Sequence, residues 1–483
     1  MSHALSISPS DPDPKFLNYP SFLMYSIAAA NGLLRRVGLI NADWQSYVLG
    51  RSIVAAYGAG TSGVAFLLAE ELGAALAGSV LAGLWVALLP LHVWESHVAV
   101  TDVVMTFWIT LALWASVRLL RAHRTRDYAM AGVAIGLAVA SKYTAALTAV
   151  APLLAVWMAR RRFREGARGI LIVGLVAALA CILATPYSFY HFGELLRAMA
   201  FESRHVHGHH SGFSLPAIGP QYHKYVYQIV AAWPFSMGFA LYASTVAGAL
   251  WALPRLRGGM AVVAAFVVLF FGITGSWTFT PLRYYLPVLV PGAVVAGMWQ
   301  GEWLARGNPL RRALAAAAVL GTLAYTSVFT YQTTARFRDD TRMQAARWLR
   351  DALPAGSNLL LCGDPHYMAR PLDARIRMHD TNETVIGRID RVGSDFDLVE
   401  ISSLLYSRWY RHGHPALLQA YELLRGEHGG FRLVKRFEAD FLNRDLYRRL
   451  DPMFEGYFLS PTLEFYAPKT HAAAAGDASA TKP

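Results

Sequence analysis

Long apolar runs recur along the first 331 residues, and they constrain the fold more than any other feature of the sequence. Most of these runs approach the roughly 20 apolar residues that an α-helix needs to cross a lipid bilayer. Because lipid offers no hydrogen-bond partners, a chain with many such runs must satisfy its backbone within helices or a closed barrel. The composition agrees, since 55% of the residues are hydrophobic and only 16% are charged. The sequence therefore predicts an all-α polytopic membrane bundle.

The apolar runs number about ten, and the fourth and fifth are short enough to be half-buried or broken helices. They cover residues 52–72, 75–92, 102–120, 128–140, 143–158, 169–185, 232–252, 259–275, 284–303 and 313–331. We therefore predict a transmembrane domain over residues 52–331.

Arginines account for most of the formal net charge of +12, and they lie in short blocks between the apolar runs. Such blocks are typical of topology determinants, so the charge does not indicate nucleic-acid binding. The four blocks fall on one side of the helix count: Arg118 to Arg126, Arg160 to Arg168, Arg255 with Arg257, and Arg306 to Arg312. The positive-inside rule makes that side cytoplasmic. The enrichment of Ala, Gly and Arg suggests a bacterial genome, so the protein is expected in a bacterial inner membrane.

The two ends of the chain differ from its apolar middle. Residues 1–51 are predicted to lie on the outer face, with an interfacial helix near residues 20–40 that contains Arg35 and Arg36. Residues 332–470 read as a small α/β domain in the periplasm or cell exterior. Its predicted elements are a helix capped by Asp340 or Thr341, a short buried strand after it, the strands DLVEIS, FRLVKRF and LEFYAP, and the helix PALLQAYELLRG. Residues 471–483 are predicted to be disordered.

Successive spans cross the membrane in opposite directions, so every second loop faces outward. Several ionisable residues fall in those outer loops, and a charge at the edge of a membrane helix indicates a functional site. The candidates are Glu95, His97, Asp102, Lys142, Glu202, His205, His207, His209 and Arg283. Each has a simpler explanation. Asp102 could cap its helix, Lys142 and Arg283 could extend to the interface, and the histidines could face solvent or hold a metal.

Two cations beside a carboxylate suit one kind of chemistry at an outer membrane face. Lys142 and Arg283 could hold the phosphate of a lipid-linked donor, and Asp102 could act as a base or a metal ligand for the acceptor. A polyprenyl-phosphate sugar is a donor of this kind. The sequence contains no phosphate-binding loop and no dinucleotide glycine pattern, which argues against an ATP-driven pump.

Several motifs, in order, resemble one known family. They are NYPSF (18–22), Arg51, TD (101–102), GLAVASKYTA (136–145), GHHSG (208–212), RYYLPVLVP (283–291) and DTRMQAARWL (340–349). This succession resembles the dolichyl-phosphate-mannose protein mannosyltransferase-like family, glycosyltransferase family 39. It is also similar to the aminoarabinose lipid A transferases, which share the C-type membrane glycosyltransferase fold.

The resemblance implies an integral-membrane transferase that moves a sugar from a polyprenyl-phosphate carrier to a lipid, glycan or protein of the cell envelope. By position it implies a catalytic Asp102 and a donor phosphate held by Lys142 and Arg283, with Tyr19 among the substrate-binding residues. A divalent cation is an open possibility. Family members begin with a further helix and an outer loop that carries an Asp, and this chain is expected to start downstream of it. An inactive or shortened homologue that binds the lipid-linked sugar is the alternative, and a lipid or polysaccharide transporter is a weaker one.

Overall fold

The structure, a computed structural model, describes residues 1–159, 163–208, 223–362, 368–369, 376–381, 396–404, 406, 415–426, 430–450 and 460–469. The chain divides into two compact units. The first contains residues 1–208 and 227–331, and the second contains residues 209–226 and 332–483.

The first unit is helical among its described residues. Its helices are α1 Ser2–Ser6, α2 Phe22–Arg36, α3 Asp43–Glu71, α4 Leu76–Leu88, α5 Pro90–Ser96, α6 Thr101–Arg118, α7 Thr125–Ser141, α8 Val150–Met158, α9 Phe163–Ala184, α10 Pro186–Tyr190, α11 Phe192–His207, α12 Trp233–Met237, α13 Phe239–Ala252, α14 Gly259–Thr274, α15 Leu286–Arg306 and α16 Pro309–Thr334. Short 3-10 segments, Tyr143–Ala149 and Leu282–Tyr285, precede α8 and α15.

Four helices in the described part of the chain are long and apolar enough to cross a membrane. They are Asp43–Glu71, Arg164–Ala184, Leu282–Arg306 and Pro309–Phe337. The helices α4 and α5 are bent by 55° and form a fifth candidate if they are counted together. The predicted count of about ten is not confirmed by this criterion, because several predicted runs form shorter helices. The run 128–140, for example, lies in the 17-residue helix α7.

Two of the predicted runs are interrupted where the sequence contains a helix breaker. The run 75–92 bends at Leu89, because Pro90 has no backbone N–H for a continuing helix and begins α5 instead. The run 232–252 is broken at Gly238, whose φ of 72° lies in the left-handed region that favours glycine.

The helix surfaces divide into packed and exposed faces. In α9, Leu171, Leu175, Leu179 and Leu183 repeat every fourth residue and are all exposed, which is the pattern of a helix face turned toward lipid. In α15, by contrast, most residues between Leu286 and Gly301 are buried. The central position of α15 is important for the site, because Arg283 lies just before its first turn.

The helices α4 and α15 approach closely at small residues. A Cβ atom added to Gly297 would collide with the backbone of Ala82, and one added to Gly301 would collide with the backbone of Gly78. The two pairs, Gly78 with Ala82 and Gly297 with Gly301, each have the four-residue spacing that lets membrane helices pack backbone against backbone.

The second unit contains a five-stranded mixed sheet. Its elements are α17 Thr341–Ala352, β1 Asn358–Cys362, β2 Arg377–Thr381, β3 Leu398–Ser402, α18 Pro415–Arg425, β4 Phe431–Phe437, α19 Arg444–Leu450 and β5 Leu463–Pro468. The strand order is β2-β1-β3-β5-β4, with β1 parallel to β2 and β3, and β5 antiparallel to β3 and β4. The core is formed by residues such as Leu360, Val399 and Phe465, with α17 packed on the sheet.

The local elements predicted for this region are observed, and two further ones appear. The Asp340 side chain accepts hydrogen bonds from the backbone N–H groups of Arg342 and Met343, at 2.8 and 3.1 Å, so Asp340 rather than Thr341 is the cap. Strand β2 and helix α19 were not predicted, because RMHDT and RDLYRRL lack a clear apolar period.

A buried carboxyl group lies at the centre of this sheet. Glu400 on β3 is fully buried, and its Oε1 accepts the Ala369 backbone N–H at 2.6 Å. No hydrogen-bond partner of Oε2 is found among the described residues. Burial raises the pKa of Glu400 to about 8.

The buried glutamate should make the stability of the second unit depend on pH. Because the folded state binds this proton more tightly than the unfolded state does, stability should be highest below about pH 4.5. It should fall as the pH rises toward 8, by at most about 5 kcal/mol. We expect Glu400→Gln to remove this slope, measured as hydrogen exchange of the β3 amides in the full chain between pH 5.5 and 8.5. The exposed Glu422→Gln is the control, and an unchanged slope in Glu400→Gln would contradict the assignment.

Candidate functional site

Three residues that are distant in the sequence meet at one end of the first unit. Asp102 is the second residue of α6, and Lys142 follows the last residue of α7. Arg283 lies in the 3-10 turn that leads into α15. The three side chains meet because α6 and α7 are packed neighbours and α15 also packs against α6.

The three side chains form a buried ion cluster. The Lys142 Nζ donates a hydrogen bond of 2.7 Å to Asp102 Oδ1, and the Arg283 Nε lies 3.5 Å from Asp102 Oδ2. Asp102 is only 3% exposed and Lys142 6% exposed, so the pair is largely withdrawn from solvent. The Arg283 side chain is 33% exposed. Two cations therefore share one carboxylate.

This geometry does not fit the simpler explanations of Asp102 and Lys142. Val100 is the N-cap residue of α6 and no side chain caps that helix, so Asp102 does not act as its N-cap. Lys142 does not extend to the interface, because its ammonium group is buried against Asp102. A charged pair that is buried in this way is expensive unless both partners are held, which indicates a specific role.

Tyrosine rings enclose the cation of Lys142. The Lys142 Nζ lies 3.5 Å from the centroid of the Tyr284 ring and 5.8 Å from that of Tyr19. Both distances are within the range of cation–π attraction. The segment before α2 is also held by Tyr143, whose hydroxyl donates a 2.8 Å hydrogen bond to the Leu17 backbone carbonyl. Residues near the start of the chain therefore form one wall of the site.

A cavity of about 370 Å³ lies beside this cluster. It is lined by Asn18, Tyr19, Lys142, Tyr143, Thr144, Ala146, Leu147, Met199, Glu202, Ser203, Val206, His207, Ile273, Trp277 and Tyr284. Most of this wall is apolar, and Lys142 is the cation that reaches it among the described residues. The cavity therefore offers a positive charge next to an apolar surface.

Glu202 is the carboxylate of the described cavity wall. It lies in α11 and its Oε1 accepts a 3.2 Å hydrogen bond from the Asn18 side-chain amide. His207, one turn further along α11, also lines the cavity. Its Nδ1 lies 2.8 Å from the Ser203 backbone carbonyl.

The other predicted residues are placed less centrally. Glu95 in α5 is buried and interacts electrostatically with Arg283, Asp102 and Lys142. His97 is exposed, and its Nδ1 lies 2.7 Å from the Val93 backbone carbonyl. The His205 ring packs edge-on against Phe279, with centroids 4.8 Å apart. Neither histidine lines the cavity, and His209 lies outside the described residues.

No metal site is formed by the residues that the structure describes. None of their histidines, cysteines, aspartates and glutamates come together in a group of three or more that could hold a metal ion. Within the ion cluster, both oxygens of Asp102 face cations.

Several residues of this site were not predicted from the sequence. Tyr284 makes the closest ring contact with Lys142, and Asn18 holds Glu202, yet neither was predicted to have a role. Trp277 lines the cavity from the loop before Arg283. The only available signal was position, since Tyr284 follows Arg283 and Asn18 belongs to the NYPSF motif.

Comparison with known proteins finds a family model that matches part of this chain. Residues 46–187, which contain Asp102 and Lys142, match the family model described as dolichyl-phosphate-mannose-protein mannosyltransferase. No curated protein sequence matches the chain at a significant level.

Solved structures with a similar fold come from an archaeon and a bacterium. The oligosaccharyltransferase AglB from Archaeoglobus fulgidus, solved with an inhibitory peptide and a dolichol-phosphate, has a TM-score of 0.53 at 12% identity. The alignment covers 88% of this chain but only 66% of AglB, slightly less than two thirds of its length. ArnT from Cupriavidus metallidurans in the apo state has a TM-score of 0.46 at 14% identity, covering 80% of this chain and 83% of ArnT.

The family match and the shared fold agree with the resemblance drawn from the motifs, which is therefore confirmed. Over residues 46–187 the chain is similar to the dolichyl-phosphate-mannose-protein mannosyltransferase family, and it has the C-type glycosyltransferase fold.

Proposed function

We propose that this protein transfers a sugar from a polyprenyl-phosphate carrier to an acceptor of the cell envelope. The observation that carries the proposal is the pair Lys142 and Arg283, held by the buried Asp102 next to a cavity with a largely apolar wall. A lipid-linked sugar phosphate has the matching properties, because it joins an anionic phosphate to a hydrocarbon chain. The archaeal AglB structure was solved with dolichol-phosphate, a molecule of the same class.

In this proposal the donor phosphate binds to Lys142, which lines the cavity, and to Arg283, which Asp102 holds beside it. Transfer proceeds by direct displacement: the acceptor group gives its proton to Glu202 in the cavity wall and forms a bond to the anomeric carbon, and the bond from that carbon to the phosphate oxygen breaks. The polyprenyl phosphate leaves with an added negative charge. Lys142 and Arg283 stabilise this charge where it develops, which is the interaction that accelerates such a step.

The role that we propose for Asp102 differs from the one expected from the sequence. Both of its oxygens face cations, and Asp102 is not among the residues that line the cavity. We therefore propose that Asp102 is a positioning residue, which fixes the Lys142 ammonium and the Arg283 guanidinium in one geometry. Glu202 and His207 line the cavity, and they are the residues that we propose to contact the acceptor or the sugar.

The proposed function can be tested by measuring sugar transfer in variants that lack one of the two cations. We expect Lys142→Ala and Arg283→Ala to reduce transfer of radiolabelled sugar from a polyprenyl-phosphate donor by about 10-fold to 100-fold each in membrane vesicles, because each removes a charge-assisted hydrogen bond to the phosphate. Arg35→Ala is the matched control, because Arg35 is also partly exposed, at 40%, and its partner Asp43 is 89% exposed, so no buried carboxylate loses its partner.

The same assay separates the alternatives. Unchanged transfer in both site variants would exclude the donor-phosphate assignment. Wild-type protein that binds the donor but transfers no sugar would favour the alternative of a binding protein without catalysis. In either case Arg35→Ala should behave as the wild type.

A further inference from the structure

A second charged cavity lies at the other end of α15. This helix begins beside Arg283, and its last turn contains Glu302 and Arg306. At 1.5 Å per residue its 21 residues span about 30 Å, which is the thickness of the bilayer core. The second cavity is therefore separated from the Asp102 cluster by the length of a membrane span.

This cavity has a volume of about 220 Å³ and three arginines in its wall, Arg255, Arg257 and Arg306. They come from two places in the sequence. Arg255 and Arg257 lie in the loop between α13 and α14, and Arg306 ends α15.

Among the described residues, one of the three arginines has a carboxylate partner and the other two do not. The Arg255 Nη2 lies 3.1 Å from Glu302 Oε1, and the Arg255 guanidinium lies 4.4 Å from the centroid of the Trp251 ring. No such carboxylate partner is found for Arg257 or Arg306 among the described residues. Because Glu302 is the single carboxylate of the described wall, the cavity keeps an excess of two positive charges.

The backbone of another part of the cavity wall adds to the positive potential. The turn Leu72 to Ala75 lines the cavity and leads directly into α4. No side chain caps this helix, so its first backbone N–H groups and the positive end of its dipole are directed toward the turn. The rest of the wall includes Met260 and Met298, which give it an apolar part.

We propose that this cavity binds a phosphate-bearing anion, and that its source is the head group of an anionic phospholipid at that membrane surface. Arg257 and Arg306 would contact the phosphate oxygens, and the methionines and Leu72 would contact the glycerol and the start of the acyl chains. Free phosphate has the same recognising chemistry, so the test must separate the two sources. The site is distinct from the donor cavity, because it involves none of the same residues.

Native mass spectrometry of the detergent-purified full chain can test this site. The probes are phosphatidylglycerol, zwitterionic phosphatidylcholine and inorganic phosphate, each titrated against the wild type and two double variants. Arg257→Gln with Arg306→Gln removes the two arginines of the cavity wall for which the described residues offer no carboxylate. Arg311→Gln with Arg312→Gln is the matched control, because it changes the net charge equally at the start of α16 without altering the cavity wall.

We expect saturable binding of one phosphatidylglycerol that weakens about thirtyfold in the cavity variant and less than threefold in the control. Phosphatidylcholine should bind much more weakly. Competition by millimolar inorganic phosphate, with the same dependence on Arg257 and Arg306, would support the site with free phosphate as its ligand. Equal weakening in both double variants would overturn the proposal in favour of a diffuse surface charge, as would unchanged binding in both.

Discussion

Replacing Asp102 with alanine is expected to destabilise the first unit by about 3 to 5 kcal/mol. The change leaves the buried Lys142 ammonium without its carboxylate partner, and an uncompensated buried charge is far more costly than the loss of an exposed ion pair. The thermal unfolding midpoint of the detergent-purified protein, followed by tryptophan fluorescence, measures the effect. We also expect donor binding to be lost, because Lys142 and Arg283 would no longer be held in position.

A double variant tests whether the stability lost in Asp102→Ala comes from the unpaired buried charge or from lost packing. In Asp102→Leu with Lys142→Met, both members of the buried pair become apolar, so we expect most of the lost stability to return while donor binding stays absent. Asp43→Ala is the control for an acidic residue in a helix first turn, since its pair with Arg35 is exposed and should contribute less than about 1 kcal/mol. A single Asp102→Ala variant that unfolds with the wild type would contradict the role of the ion cluster.

The second large effect is expected at the contact between α4 and α15. In Gly301→Leu the new side chain would have to occupy the space of the Gly78 backbone, which cannot move without separating the two helices. We expect a loss of at least about 3 kcal/mol, or no folded protein, measured by fluorescence-detected size exclusion and thermal unfolding. Because α15 follows Arg283 directly, donor binding should be lost together with the fold.

A matched glycine tests whether the close approach is the cause. Gly321 lies within α16 and has no atom within 4 Å of an added Cβ, so Gly321→Leu should leave stability unchanged or slightly higher. If both leucine variants unfolded alike, the effect would belong to glycine in any membrane helix rather than to the α4 and α15 contact.

The local elements were predicted well from the sequence where apolar residues formed a long run or repeated at a regular interval. Each of the ten apolar runs overlaps one or more helices, and the strands DLVEIS, FRLVKRF and LEFYAP are observed as β3, β4 and β5. The predictions failed where that signal was absent or interrupted. Strand β2 has no apolar alternation and, within the described part of the sheet, is paired only with β1, so its conformation depends on a neighbour rather than on its own residues.

The candidate site was only partly predictable, because contacts between residues that are distant in the sequence leave no local pattern. Alternation of the predicted helices placed Asp102, Lys142 and Arg283 on one face, and the structure brings these three side chains into contact. Their catalytic and binding roles stay predictions. No pattern in the sequence indicated that Asp102 would face two cations and not the cavity, or that Tyr19 and Tyr284 would enclose the lysine.

Hydropathy is a property of neighbouring residues, so the sequence by itself determined that this chain forms apolar helices followed by a small α/β unit. Which side chains meet depends on how each helix is rotated about its axis and how closely it approaches the next one. Those quantities are decided by contacts such as Gly301 against Gly78, between residues far apart in the chain. Only the tertiary structure therefore decided that a lysine, an arginine and an aspartate would share one buried position beside a cavity.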